Sequence, residues 1–154
     1  MQKDFLRFDM SLESLYQEII LDHYKNPHHK ELHAPYAIEV HHNNPSCGDE
    51  VTLRLSLNGD LIGQVSWSGV GCSISQASTS IMSDLVTGKT MSEALELERI
   101  FLELMQSKGN FSGDVEVLED AVALSGVAKY PARVKCALLG WMAFRDAALR
   151  TGSS

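Results

Sequence analysis

Val51, Leu53, Leu55 and Leu57 alternate strictly with polar residues, and the run closes on Asn58-Gly59. A period of two marks a half-buried strand, and Asn-Gly is a strong hairpin signal. Ile62 to Ser68 returns as the partner strand, with Val65 and Trp67 on one face. Tyr36–Val40 reads as a short strand before them. This hairpin constrains the fold most, because it leaves no room for a parallel βαβ crossover at the centre of the chain. Ser11 is placed to cap a helix running to about Lys25, with Leu12, Leu15, Tyr16, Ile19, Ile20 and His23 as its stripe. Asn26-Pro27 stops it, and His28 to Pro35 is a polar loop.

Beyond the hairpin the pattern is helical. A helix is expected over Ser73–Val86, closed by Gly88. Thr90-Met91-Ser92-Glu93 is a capping box opening a helix to about Met105. Ser107 to Gly113 is a loop, and a short helix near Leu118–Leu124 ends at Gly126. A last helix, roughly Ala132 to Arg150, carries Val134, Leu138, Trp141 and Ala148 as its apolar face. One helix, three strands, then helices is an α+β order: a small three-stranded antiparallel sheet packed against several helices. The chain reads as one domain over residues 1–154, with residues 1–10 as a flexible lead.

The chain has 154 residues, enough for one well-cored domain. Its formal net charge is −7 and it has no long basic run, which disfavours nucleic-acid binding and suits a basic protein partner. Charges in the first ten residues break the apolar stretch a signal peptide needs, and no segment approaches a membrane span. The cysteine count is three, so the thiols cannot all pair within the chain; a reducing cytoplasm is expected.

Cys47 sits in Asn44-Pro45-Ser46-Cys47-Gly48-Asp49, Cys72 in Gly69-Val70-Gly71-Cys72-Ser73-Ile74-Ser75, and Cys136 in Arg133-Val134-Lys135-Cys136-Ala137. Their spacing is too wide for a compact zinc finger, and a free cysteine often serves as a small buried hydrophobe. Local context points further. Each cysteine is flanked by turn residues or by the start of a helix, where thiols ionise more readily. Asp49, two residues after Cys47, supplies a fourth ligand. Three sulfurs and one oxygen suit tetrahedral zinc, and could also hold a labile iron–sulfur cluster.

Other constellations carry less. Gly69-Val70-Gly71 lacks the third glycine of a dinucleotide fingerprint and the Gly-Lys-Ser/Thr ending of a P-loop; the turn is expected to let the backbone wrap around whatever Cys72 binds. All six histidines lie between His23 and His42. At most one of His41 and His42 can face the cysteines, since neighbours on a strand point to opposite faces, and solvated strand-end residues are the simpler expectation. His23 is expected to pack or hydrogen-bond. Glu93, Glu96, Glu98 and Glu103 read as the wet face of a helix. A Cys–His hydrolase is a poor fit, because the C-terminal two-thirds of the chain holds no histidine.

The chain resembles the U-type iron–sulfur cluster assembly proteins, the IscU and NifU N-terminal family, from about Leu15 to Ala147. The resemblance is carried by Leu15-Tyr16, Asp22-His23, Asn26-Pro27, Asn44-Pro45-Ser46-Cys47-Gly48-Asp49, Gly71-Cys72-Ser73-Ile74-Ser75 and Lys135-Cys136-Ala137. It sides with the SufU branch, because Lys135 stands where the IscU branch has a histidine, and because Leu97 to Gly126 looks like added sequence. The Leu-Pro-Pro-Val-Lys segment by which a chaperone reads the IscU branch is here Tyr130-Pro131-Ala132-Arg133-Val134-Lys135, without the second proline.

The resemblance implies zinc on Cys47, Asp49, Cys72 and Cys136, and sulfur received from a SufS-type cysteine desulfurase, a pyridoxal-phosphate enzyme. Cys47 is then the reactive cysteine of a zinc-dependent sulfurtransferase-type carrier. A histidine of the desulfurase would take its place on zinc, while Cys72 and Cys136 stay as anchors. Arg133 and Lys135 would offset part of the site's negative charge. Two other readings use the same residues: a scaffold on which [2Fe–2S] clusters are assembled and handed to acceptor proteins, and a structural zinc adaptor for the desulfurase.

Overall fold

The computed structural model describes residues 2–152, with side chains described over residues 13–151. Helix α1 spans Gln2–Lys25, followed by β1 (Ile38–Asn44), β2 (Asp49–Asn58) and β3 (Leu61–Val70). Then come α2 (Ser73–Val86), α3 (Met91–Gln106), a 3-10 helical segment (Glu116–Lys129) and α4 (Pro131–Gly152). Helix α1 starts well before Ser11; that serine's side chain and the expected flexibility of residues 1–10 lie outside the described side chains. The sheet is antiparallel in the order β1-β2-β3, as the hairpin pattern requires.

Strand β2 is central, and its alternation fixes the register. Val40 pairs with Leu53 and Leu53 with Trp67, so three strands present their apolar residues to one face. Val51, Leu53 and Leu55 are fully buried, but Leu57 is 38% exposed. Leu57 stands at the hairpin end of the strand, beyond a register shift between Ser56 and Leu57 that alternation alone does not reveal. The turn itself falls on Gly59-Asp60, since Asn58 still pairs with Leu61.

The free edge of β3 is covered. The polar loop after α1 accepts the Trp67 N–H on the His29 carbonyl at 3.0 Å, and Ile62 N–H donates to Lys89 O at 2.8 Å. This removes an exposed row of strand donors that would invite association. Buried Ser66, on the face opposite Val65 and Trp67, accepts from His33 N–H at 3.1 Å, so the same loop covers that face too.

Helices pack on the sheet around Trp67, Trp141, Phe101 and Phe144, with the Phe101 and Trp141 rings stacked at 4.3 Å. Helix α2 is buried almost all round, yet much of it is Ser and Thr. Its hydroxyls are satisfied internally. Ser78 Oγ donates to Ala137 O at 2.6 Å and accepts from Trp141 Nε1 at 3.1 Å, while Thr79 and Ser83 bond back to the carbonyls one turn earlier. Small side chains let α4 come close: a Cβ on Gly140 would strike Thr79.

Several expected faces need correction. On α4, Val134 and Leu138 are only partly buried; the buried face runs through Ala137, Trp141, Phe144 and Ala148. On α1, Leu15 is 49% exposed and the stripe is half-buried. The capping box at Thr90 and Glu93 is present in both directions. Glu98, read as wet, is only 3% exposed, because α4 covers that side of α3 and brings Arg145 to 3.9 Å. The stretch Leu97 to Gly126 is the later part of α3, a loop and most of the 3-10 segment, and it supplies Phe101, Leu118 and Leu124 to the core.

Candidate metal centre

Three chain segments converge at one end of α2. The first is the β1–β2 turn. Cys47 N–H and Gly48 N–H both donate to Asn44 O, at 3.1 and 2.9 Å, and Ser46 Oγ donates to Asn44 Oδ1 at 2.7 Å. Asn44 thus ties the turn with its backbone and side chain, and its amide also reaches Cys47 Sγ at 3.4 Å. Cys47 is exposed at the tip. Asp49 is not on the loop, as expected, but is the first residue of β2, paired with Asn44 and only 1% exposed.

The second segment is the β3–α2 junction. Cys72 is the N-cap residue of α2, in extended conformation, and its backbone N–H donates to Asp49 Oδ1 at 3.1 Å. Gly71 makes this possible: a Cβ there would collide with the Asp49 carboxylate and with Ser75 Oγ. The glycine expected to let the backbone wrap closely does so around Asp49.

The third is the start of α4. Cys136 lies in its second turn, 6% exposed, with Sγ 3.4 Å from Cys47 Sγ. Ligand atoms of Cys47, Asp49 and Cys136 all lie within 4.8 Å of one another. Cys72 adjoins this group through its backbone N–H on Asp49 Oδ1, and its thiol is close enough to add to the upward shift of Cys136. The structure therefore gathers the ligand atoms of three of the expected residues, Cys47, Asp49 and Cys136, from positions far apart in sequence, with Cys72 tied to them through its backbone.

Electrostatics shows what the cluster lacks. Burial pushes the Cys136 thiol well above its ordinary range, with further upward contributions from Cys47, Asp49 and Cys72. This corrects the expectation that position near a helix start lowers each thiol: for Cys136, desolvation and the three neighbouring acidic groups outweigh the helix end. Asp49 Oδ1 is used by Cys72 N–H, but Asp49 Oδ2 is buried without a hydrogen-bond partner. An orphaned carboxylate oxygen beside three thiols is what a cation would satisfy, and three sulfurs plus one oxygen match zinc's tetrahedral preference.

Among the described residues, neither Arg133 nor Lys135 makes a hydrogen bond or ion pair to the cluster; both are exposed on the first turns of α4. His41 pairs with Thr52 Oγ1 at 2.9 Å and His42 with Asp146 at 2.8 Å, so both have partners outside the cysteine group. Two contributors escaped sequence reasoning. Asn44 was legible only as an Asn-Pro turn former, and the steric role of Gly71 toward Asp49 depends on strand pairing.

Residues 15–137 match the family of NifU-like N-terminal domains. The chain belongs to this family. It is 43% identical over 138 residues to the zinc-dependent sulfurtransferase SufU of Bacillus subtilis, covering 90% of this chain and 92% of that one. It is 40% identical over 144 residues to the iron–sulfur cluster assembly scaffold protein IscU of Streptococcus pyogenes, covering 93% and 88%. A solved structure from Fervidobacterium islandicum, provisionally assigned as an iron–sulfur cluster assembly scaffold protein for the SUF system, superposes with TM-score 0.75 at 39% identity, covering 85% and 94%. The fold is also that of a NifU-like N-terminal protein from Brucella abortus, at TM-score 0.81 and 21% identity, covering 93% and 98%. Membership places the chain in iron–sulfur cluster assembly. No helix among the described residues is long and apolar enough to cross a membrane.

Proposed function

We propose that this protein is a zinc-dependent sulfur acceptor, taking sulfur from the persulfide of a pyridoxal-phosphate cysteine desulfurase for iron–sulfur cluster assembly. The buried, unpartnered Asp49 Oδ2 amid Cys47, Cys72 and Cys136 carries the reading. The likeness to a zinc-dependent sulfurtransferase supports it. Cys47, Asp49, Cys72 and Cys136 would hold the ion, and zinc bound there supplies a charge that keeps thiols ionised at neutral pH. A reducing cytoplasm, which keeps the three thiols free, is the matching compartment.

Exposure sets Cys47 and Cys72 apart from buried Cys136, and tethering sets Cys47 apart from Cys72. Cys47 sits at the tip of a turn and can meet a partner's sulfur; Cys136 is buried in α4 and cannot. Cys72 is held as the cap of α2, its backbone tied to Asp49. Cys47 as thiolate attacks the outer sulfur of the desulfurase persulfide. The S–S bond of that persulfide breaks, the desulfurase cysteine leaves with the electron pair, and Cys47 carries the sulfane sulfur. The Asn44 amide, 3.4 Å from Cys47 Sγ, is placed to donate to the thiolate.

A second reading has a specific motive, because relatives of 40% and 39% identity are described as scaffolds. It takes a [2Fe–2S] cluster as cargo on the same four residues. Incubation with a cysteine desulfurase and cysteine, followed by mass spectrometry, separates them. The sulfur-acceptor reading expects a mass gain of one sulfur on Cys47, abolished in Cys47→Ser with the fold retained. A persulfide that forms on Cys72 or Cys136 in that variant contradicts it.

A further inference from the structure

The centre above uses no histidine, yet three of the chain's six gather at the other end of α2. His23 is on the last turn of α1 and is buried. Ser80 Oγ on α2 holds its Nδ1 at 2.8 Å, and Asp120 Oδ2, on the 3-10 segment, holds its Nε2 at 3.3 Å. His28 and His29, in the loop after α1, both turn onto one carboxylate of α2. His28 Nδ1 lies 2.5 Å from Asp84 Oδ2, and His29 Nε2 lies 2.9 Å from Asp84 Oδ1. The loop is pinned in this position by His28 N–H, which donates to Ser80 Oγ at 2.7 Å, and by Trp67 Nε1, which donates to His28 O at 2.9 Å.

We propose that His23, His28 and Asp84 form a second divalent-cation site, built from nitrogen and oxygen donors. One ligand atom from each lies within 4.8 Å of the other two. Donors around a common zinc-like ion, at about 2.0–2.2 Å, lie within about 4.4 Å of each other. The half-exposed side chains of His28 and Asp84 have the freedom to close that difference. Each remaining polar neighbour fits an outer role. Ser80 or Asp120 keeps one nitrogen of His23 while the other binds, and His29 orients Asp84 through its second oxygen, the arrangement that sets ring orientation and ligand basicity in metal sites.

Charge and access agree. Asp84, Glu119 and Asp120 line a hollow of about 170 Å³ with Ile81 and Leu85, and Asp84 and Asp120 connect it to the imidazoles they hold. These carboxylates balance a dication, while the nearby cation Lys30 is turned away onto Gln76 and the Trp67 ring. Two half-exposed imidazoles on one surface carboxylate add little stability as ion pairs, so stability alone does not account for their convergence. The donor set, without sulfur, suits borderline ions such as Zn²⁺, Co²⁺, Ni²⁺ or Fe²⁺, bound more loosely than at the thiols. Cys72 and Asp84 stand twelve residues apart on α2, about 18 Å at 1.5 Å per residue, so the two sites load independently.

The test uses the full chain with one equivalent of zinc already bound, titrated with Co²⁺ and followed by visible absorbance and metal analysis. The expected result is one further equivalent of Co²⁺, with d–d bands but no thiolate charge-transfer absorption. His28→Ala and Asp84→Asn should each lose that equivalent while keeping their zinc. His28 is exposed, so its variant carries the test even if Asp84→Asn is destabilised. No saturable further equivalent in the native protein overturns the proposal. So does Co²⁺ uptake left unchanged in His28→Ala.

Discussion

Asp49 is where strand pairing, steric exclusion and charge meet. Its Oδ1 is spent on Cys72 N–H and its Oδ2 has no hydrogen-bond partner among the described residues, so half of a buried carboxylate is reserved. Replacing it by Ala removes the oxygen donor and frees the Cys72 N–H. We expect at least tenfold weaker zinc affinity in Asp49→Ala, read by competition with a chromophoric chelator. Gly71→Ala should do the same without touching any proposed ligand, because its Cβ would displace the carboxylate and Ser75 Oγ. Native affinity in both variants would remove Asp49 from the centre. Sequence pattern exposes the ligand types here but not this division of the carboxylate, since Cys47-Gly48-Asp49 looks like one loop until pairing with Asn44 puts Asp49 in the sheet.

At the scale of elements, the strands and caps were readable because each rests on local chemistry. The alternation from Val51 to Leu55, the Thr90–Glu93 capping box and the Ser73–Val86 helix all stand as the sequence implies. What could not be read depends on a neighbour. Leu57 is left partly open at the hairpin end of the sheet, and Glu98 is roofed by α4. Glu98 allows a prediction with a definite sign. Burial raises its carboxyl above the ordinary value, only partly offset by Arg145, and its Oε2 has no partner. A carboxyl raised in the folded state is easier to ionise when unfolded, so it costs stability as pH climbs from the unfolded value through the folded one. Glu98→Gln should therefore raise the melting temperature at pH 7 by roughly 2–4 °C, for about 1 kcal/mol, and have little effect near pH 4. A lower melting temperature at pH 7 would show that the weak Arg145 contact matters more than desolvation.

Across the whole molecule, the centre joins the β1–β2 turn, the cap of α2 and the start of α4, elements widely separated in sequence. A bound ion would staple the sheet to two helices. Its removal should lower the melting temperature by roughly 5–10 °C, from a loss of about 2–4 kcal/mol. That is below the ~10–16 kcal/mol of zinc-finger peptides, which have no other core; here Trp67, Phe101, Trp141 and Phe144 hold the fold without it. An unchanged melting temperature after chelation would disconnect the site from the fold. The order of elements was legible from the sequence, while the meeting of the three segments rested on ligand chemistry and the resemblance, because no local periodicity reports a contact between Cys47 and Cys136. The most direct measurement is X-ray absorption at the zinc edge of freshly purified protein, with metal quantified on the same sample. The account predicts one tightly bound zinc per chain with three sulfur neighbours and one oxygen. Zinc surrounded by nitrogen and oxygen alone, with the thiols left free, would contradict it.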